Sequence, residues 1–373
     1  MYQSVELYSK PEEGITNLQY SEMTSFQHAF LCGLIKENRP NKIVEVGVSA
    51  GGTTGVILQC LEMLNIKAEM YSVDLSERWY RNETYETGFT VKELGKDLGG
   101  GTHQFLLGQT IPFYLEQIGK DIDFLILDTT HCLPGELLDF IVCLPYLRDG
   151  CIVVIHDTIE NHLTGVDLEI ATKLLFDVVT ANDKYMMKEQ EIHGVDLPNI
   201  AAFKVGTETR KNIKDLFSIL TVSWGYLLGV DEKQKYRDSI LFNYGEEYLQ
   251  LFDQVETLQR HTYLSKRIAE HYGRDARYLK MKWEKSKEVF IYGAGYYGDI
   301  YFQWGMLNGF NIKGFVISDD QEKVSSEKNK LPVYFLSELS CGSDECSIIV
   351  AVGREYQRLI LQNLKRSGYY NIL

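Results

Sequence analysis

Between residue 41 and about residue 205, short unbroken apolar runs alternate with stretches of helical spacing, and this alternation constrains the fold more than any other feature. The runs are Lys42–Val46, Glu69–Val73, His103–Leu107, Phe124–Leu127 and Cys151–Ile155; the helical stretches between them include Thr54–Leu64, Ile111–Ile118 and Gly135–Leu147. A strand that is apolar at nearly every position has both faces buried, as in a parallel sheet covered by helices on both sides. The pattern predicts a Rossmann-like α/β domain with a mostly parallel sheet. Asn199–Val205 reads as a last strand closing that sheet at its edge, and Ser21–Asn38 as an amphipathic helix stopped by Pro40.

At 373 residues the chain is longer than one typical domain. Residues 1–206 read as the first domain, 207–287 as a helical connector without strand alternation, and 288–373 as a second, small Rossmann-like α/β domain. In the connector, Tyr248, Leu251, Phe252, Val255 and Leu258 recur at three- and four-residue steps and make one apolar face. That face can pack on either domain or on a second subunit, making a homodimer.

A net charge of −14 excludes a broad cationic track for nucleic acid. No run approaches the roughly 18 apolar residues of a membrane span, and the polar start of the chain does not read as a signal peptide. Seven cysteines without metal-finger spacing, most among apolar neighbours, suit the reducing cytoplasm.

Glu45-Val-Gly47-Val-Ser-Ala-Gly51-Gly52-Thr53 leaves a buried strand and opens a helix. Glycines here let the backbone turn sharply and approach a ligand, and the helix start offers unpaired N–H groups. The spacing is not GxGxxG, and an acid at the strand's end suits a cationic ligand better than a pyrophosphate. Asp74, ending the second strand, is placed to accept from ribose hydroxyls.

At these residues the sequence resembles the class I S-adenosylmethionine-dependent methyltransferases, and within them the macrocin-type small-molecule and sugar O-methyltransferases. The E-x-G-x-x-x-G-G-[ST] loop stands as Glu45–Thr53 and the second-strand acid as Asp74; the likeness spans roughly residues 20–205. It implies S-adenosylmethionine held by Glu45, Gly47, Gly51, Gly52, Thr53, Asp74 and Gln109. Gln109 stands in Gly108-Gln109-Thr110, where the family often has an acid.

Asp128-Thr-Thr-His131 follows the fourth strand and His156-Asp157 the fifth, at carboxyl ends that line the ligand crevice of an open α/β sheet. Asp128, His156 and Asp157 can together hold a divalent metal, Mg²⁺ or Mn²⁺, that lowers the pKa of a substrate hydroxyl; a hydrogen-bonded polar cluster without metal is the other reading. His131 is the candidate general base. The resemblance gives a D-x-x-H motif and an acidic pair these same roles, with His156 standing where the acid is commoner and shifting preference away from Mg²⁺. The insert between Leu75 and Thr102, with Trp79, Tyr80, Tyr85, Phe89 and a Gly99–Gly101 hinge, is either a substrate lid or ordinary packing.

Gly293-Ala-Gly295-Tyr-Tyr-Gly298 also lies between strand and helix, with Asp319 placed as a ribose-binding acid about twenty residues on. This tail resembles the Rossmann-type domains appended to bacterial polysaccharide-modifying enzymes. It is either a nucleotide or nucleotide-sugar site or a structural docking module. The expectation is a cytoplasmic methyltransferase acting on a hydroxylated small molecule such as a sugar or nucleotide-linked glycan. The competing readings are a non-catalytic nucleotide-binding scaffold and an oxidoreductase using the C-terminal loop.

Overall fold

In the computed structural model, residues 2–12, 18–93, 101–187, 190–192, 194–321, 325–340 and 346–372 are described. The chain divides into two compact units, Met1–Glu256 and Thr257–Leu373.

Among the described residues, nine strands belong to the first unit: β1 (Lys42–Val46), β2 (Glu69–Asp74), β3 (Thr102–Leu107), β4 (Ile122–Leu127), β5 (Leu147–His156), β6 (Lys184–Met186), β7 (Gln190–Ile192), β8 (Val195–Leu197) and β9 (Ile200–Lys204). Seven form one sheet in the order β3-β2-β1-β4-β5-β9-β6, while β7 and β8 pair as a separate hairpin. The strands from β3 to β5 run parallel, and β9 lies antiparallel to both β5 and β6. The fold is thus the expected Rossmann-like α/β sheet, with one correction: β6, not the strand at Ile200–Lys204, is outermost on that side. Three residues of mixed polarity carry too little periodicity to announce a strand.

Alternate residues of each strand feed two separate cores. Val44, Val46, Leu125, Leu127, Val153 and Ile155 pack on one face. Ile43, Phe124, Ile126, Ile152 and Val154 pack on the other, against Phe30, Leu34, Ile57 and Leu61. Both faces are apolar because each is roofed by helices, so the runs show no polar alternation. The helix Ser25–Asn38 begins at Thr24, whose side chain and that of Gln27 form a reciprocal capping box, and ends at Arg39 in left-handed backbone before Pro40.

The stretch 207–287 is helical, and the two units share it. Helices Thr207–Lys211, Ile213–Ile219 and Val230–Tyr244 lie in the first unit, where Leu216, Phe217, Trp224, Tyr236 and Ile240 join the first core. The apolar face of Tyr248, Leu251, Phe252 and Val255 packs there too.

The second unit holds β10 (Glu288–Tyr292), β11 (Ile312–Ile317), β12 (Glu327–Lys328), β13 (Leu331–Phe335) and β14 (Cys346–Val350), in the order β12-β13-β11-β10-β14. Among the described residues the β12–β13 pair is antiparallel and the other pairs are parallel. Among the described residues no helix is long and apolar enough to cross a membrane.

Candidate active site

The glycine turn is built by close approach. Gly47 has φ 97°, and a Cβ there would stand 1.7 Å from the carbonyl oxygen of Asp128, so only glycine lets the ends of β1 and β4 meet. Gly52 faces the backbone of Ser21, where a Cβ would lie 2.7 Å from Cα. Asp74 locks the turn: one carboxylate oxygen accepts from the N–H groups of Val48 (2.9 Å) and Ser49 (3.1 Å), the other from Ser76 N–H (2.8 Å).

Glu45 is placed differently from a ligand-facing acid. It shares its side of β1 with Ile43, is 1% exposed, and accepts from the hydroxyls of Thr54 and Ser72, each at 2.7 Å. Burial raises its pKa to about 7 against the two hydrogen bonds that lower it. Its carboxyl braces the strand, the neighbouring strand and the helix after the turn.

At the ends of β4 and β5 the structure assembles Asp128, His131, His156 and Asp157. His131 Nε2 lies 3.2 Å from Asp157 Oδ2. Below it, the fully buried Glu136 accepts from the N–H groups of His131 (2.7 Å) and Thr129 (3.1 Å). Glu136 Oε1 also stands 3.4 Å from His131 Nδ1, close enough for charge attraction but not in hydrogen-bonding geometry. Burial pulls the His131 pKa down, but Glu136, Asp128 and Asp157 together hold it above the usual histidine value. Asp157 is kept below the usual carboxylate range: burial opposes ionisation, and His156, His131 and Asn199 overcome it.

His156 is enclosed. Gln27 Oε1 accepts from Thr24 N–H at 2.8 Å, so it also accepts from His156 Nε2, 3.1 Å away. His156 Nδ1 lies 3.2 Å from both Asp128 Oδ1 and Asp157 Oδ2, which only accept when ionised. Both ring nitrogens therefore carry protons. Burial favours the neutral ring, but the two aspartates hold it charged well above the ordinary value. His156 is thus a buried cation with no nitrogen left for a metal, which corrects its expected place as a ligand. The ligand atoms that converge, all within 4.8 Å of one another, belong to Asp128, His131 and Asp157.

Two adjoining cavities share the wall formed by Gly47, Val48, Ser49, Tyr80, Asp128 and Thr129. The smaller, about 360 Å³, reaches His131, Asp157, Thr53, Tyr20, Glu22 and Glu160. The larger, about 440 Å³, runs from Asp74 past Gln109, Thr110 and Ile111 to Asp139, Tyr226 and Glu232. Thr110 Oγ1 and Thr129 Oγ1, both buried on its wall, have no partner among the described residues. Gly51 and Gly52 shape the turn, and Gly52, Thr53 and Gln109 reach the cavities.

Glu136 and Asp139 escaped the sequence reading. Their signal is two acids three apart in the otherwise apolar helix Gly135–Cys143, every residue of which is buried. The aromatic insert mostly packs: Trp79 and Phe89 cluster with Ala50 and Tyr20, and Trp79 Nε1 donates to Ser49 Oγ at 3.1 Å. Tyr80 alone of its aromatics lines the cavities. Gly99 and Gly100 lie outside the described residues.

In the second unit Gly293 has φ 114°, and a Cβ there would stand 2.4 Å from Ala351 O; one on Gly298 would stand 2.1 Å from Gly293 O. Gly295 borders a cavity of about 400 Å³ with Ala294, Ile317, Ser325 and Lys328. Lys328 donates to Ala294 O and pairs with Asp299 at 2.9 Å. Asp319 accepts from Ser337 N–H (3.0 Å) and Oγ (2.7 Å) and is not part of that cavity's wall.

Residues 44–158 match the family model described as a methyltransferase domain. That span covers the glycine turn, Asp74, Gln109 and the whole histidine–aspartate cluster. The match spans 115 of the 373 residues, all within the Rossmann-like α/β fold of the first unit. Similar solved structures include an O-methyltransferase from Bacillus cereus in complex with SAH, 12% identical over 52% of this chain and 89% of that one, with a TM-score of 0.36. Another is the O-methyltransferase TomG from Streptomyces achromogenes, involved in tomaymycin synthesis and bound to SAM, at 13% identity, 53% and 87% coverage, and a TM-score of 0.35. A third is the SAH-bound methyltransferase PaMTH1 of Podospora anserina, at 12% identity, 52% and 83% coverage, and a TM-score of 0.37. Likeness at this level assigns no chemistry to the chain. No curated protein matches it.

Proposed function

We propose that the protein transfers a methyl group from S-adenosylmethionine to a hydroxyl of a small molecule, with a sugar or nucleotide-linked glycan as the acceptor class. The observation that carries this is the charge of the larger cavity: the carboxylates of Asp74, Asp128 and Glu232 line it, Asp139 being held neutral by burial, without a lysine, arginine or histidine among its lining residues. Such a wall repels phosphates and attracts a sulfonium, which disfavours a dinucleotide here. Asp74 lines one end of this cavity, where its carboxylate would accept from ribose hydroxyls, and Gln109 offers a polar side chain beside it.

The bound cofactor supplies an electrophilic methyl carbon on a sulfonium sulfur. The acceptor would lie in the smaller cavity, where Tyr20 and Tyr80 offer ring faces and Glu22 and Glu160 accept from hydroxyls. His131 Nε2 takes the proton as the acceptor oxygen forms its bond to the methyl carbon and the C–S electron pair stays on sulfur. Asp157, 3.2 Å from that nitrogen, would stabilise the imidazolium once the proton has been taken, and Glu136 lies beside Nδ1 and fixes the backbone beneath the ring.

Asp128, His131 and Asp157 also fit a divalent cation, two carboxylates and one imidazole being a donor set for Mn²⁺; His131 would then be a ligand in place of the base. Such an ion would polarise the acceptor hydroxyl. In the second unit, the glycine turn and Lys328 make the neighbouring cavity the candidate seat of a nucleotide sugar.

Calorimetry against S-adenosylhomocysteine and NAD, followed by transfer of labelled methyl to free and nucleotide-linked sugars with and without EDTA, tests the reading. Binding of the first and label in a sugar ether are expected. Binding of NAD alone, or cofactor binding without transfer to any hydroxylated acceptor, would overturn it. Activity insensitive to EDTA would remove the metal.

A further inference from the structure

The far end of the larger cavity is built by residues outside the matched domain. Tyr226, Glu232 and Tyr236 come from the chain after the sheet and meet Asp139 of the helix following β4. Asp139 is 5% exposed and Tyr236 2%, and the Tyr236 hydroxyl donates to Asp139 Oδ1 at 2.6 Å. Glu232 Oε2 accepts from Gly229 N–H at 3.0 Å, fixing the side chain at the start of its helix. Between this end and Asp74 the walls are largely apolar, with Val46, Val73, Leu75, Ile111 and Leu227. That is a slot for a flat ring with a polar edge at its end.

We propose that Asp139, positioned by Tyr236 and joined by Glu232, reads the amino-bearing edge of the adenine ring, so that a group inside the matched domain depends for cofactor selection on two residues beyond it. This rests on the S-adenosylmethionine reading above. Burying the Asp139 carboxyl at the end of a slot, beside the half-buried Glu232, is costly unless complementary groups meet it. Adenine presents an exocyclic NH₂ beside a ring nitrogen that only accepts. To match both, the wall needs an acceptor and a donor.

Asp139 supplies the donor by being neutral. Burial pushes its pKa up to about 8, Glu136 and Glu232 push the same way, and the Tyr236 hydrogen bond opposes them. Tyr226 and Cys143 also face this group, and neither is cationic. With Oδ1 taking the Tyr236 hydroxyl, the acid proton is free to donate to the ring nitrogen, and Glu232 takes the amino group. Hypoxanthine reverses the pattern, with N–H at the ring position and an oxygen in place of the amine.

Calorimetry on the full chain reads this directly. At neutral pH S-adenosylhomocysteine should bind roughly ten- to a hundred-fold more tightly than S-inosylhomocysteine, because the latter leaves buried groups unpaired. Affinity for S-adenosylhomocysteine is present below the Asp139 pKa and lost above it, so it should fall roughly tenfold between about pH 7 and about pH 9. Asp139→Asn keeps a neutral donor and acceptor in the same shape and should bind with no such pH dependence; Asp139→Leu should lose the preference for adenine. Equal binding of the two ligands, or the same pH profile in wild type and Asp139→Asn, would overturn the proposal and leave the cofactor assignment standing. No binding of either ligand at any pH would overturn both.

Discussion

His131 and Asp157 both adopt left-handed backbone, with φ 58° and 57°, and their side chains meet at 3.2 Å across the ends of two strands. Non-glycine residues rarely sit there, and where they do the surroundings hold them for a purpose. Here the turns aim both groups into the smaller cavity. His131→Asn, which tolerates this backbone, should lower turnover by roughly two to four orders of magnitude while changing the affinity for S-adenosylhomocysteine less than about threefold. Methyl-transfer rates beside calorimetry check this; unchanged turnover sinks the base assignment.

His156 is the counter-charge of the cluster. Buried, and donating toward Asp128 and Asp157 on one side and Gln27 on the other, it compensates two carboxylates that burial would otherwise disfavour. His156→Leu should cost about 3 kcal/mol of unfolding free energy, because removing one partner strands the others. Adding Asp128→Asn should recover part of that loss. Urea titrations of the single and double variants measure both; a single variant as stable as wild type would refute the clamp.

The strands, their order of appearance and the glycine turn were legible because buried parallel strands and tight turns leave local marks: Ile43, Val44 and Val46 put apolar side chains on both faces, and Gly47 must be glycine. The cluster at Asp128, His131, His156 and Asp157 was legible because strand ends carry function. Roles were not. Glu45 could be seen as an acid at a strand's end, but whether it faces ligand or core depends on Ser72, its partner in β2, and on Thr54. His156 looked like a ligand because Gln27, 129 residues away in the sequence, leaves no local trace. The contribution of Tyr226 and Tyr236 to the larger cavity was equally hidden, since it depends on how helices beyond the sheet fold back.

Glu45 makes a pH prediction. Its folded pKa, about 7, is above the ordinary glutamate value, so the folded state keeps a proton that the unfolded chain has lost. Stability from this group is therefore full below the unfolded value and declines as pH rises to about 7, by about 3 kcal/mol at most. Glu45→Gln preserves an acceptor for the Thr54 and Ser72 hydroxyls and removes the titration. Wild type should lose thermal stability between about pH 5 and about pH 7 relative to this variant. Parallel melting curves of the two proteins would refute it.

Two glycines of similar sequence context should answer alanine in opposite ways. At Gly47 the backbone is at φ 97° and a Cβ would fall 1.7 Å from the Asp128 carbonyl, so β1 and β4 would have to separate where the two cavities meet. Gly47→Ala should cost at least about 2 kcal/mol and abolish binding of S-adenosylhomocysteine. Gly295 has φ −93°, and a Cβ there meets nothing within 4 Å, so Gly295→Ala should stay within about 1 kcal/mol of wild type. Because its methyl would project at the second unit's cavity, any ligand seated against that turn should bind this variant more weakly while the melting curve barely moves. Denaturation and nucleotide-sugar titrations of the two variants separate a glycine required by the fold from one that keeps space for a ligand. A Gly295→Ala protein that binds nucleotide sugars as wild type does would place that ligand elsewhere.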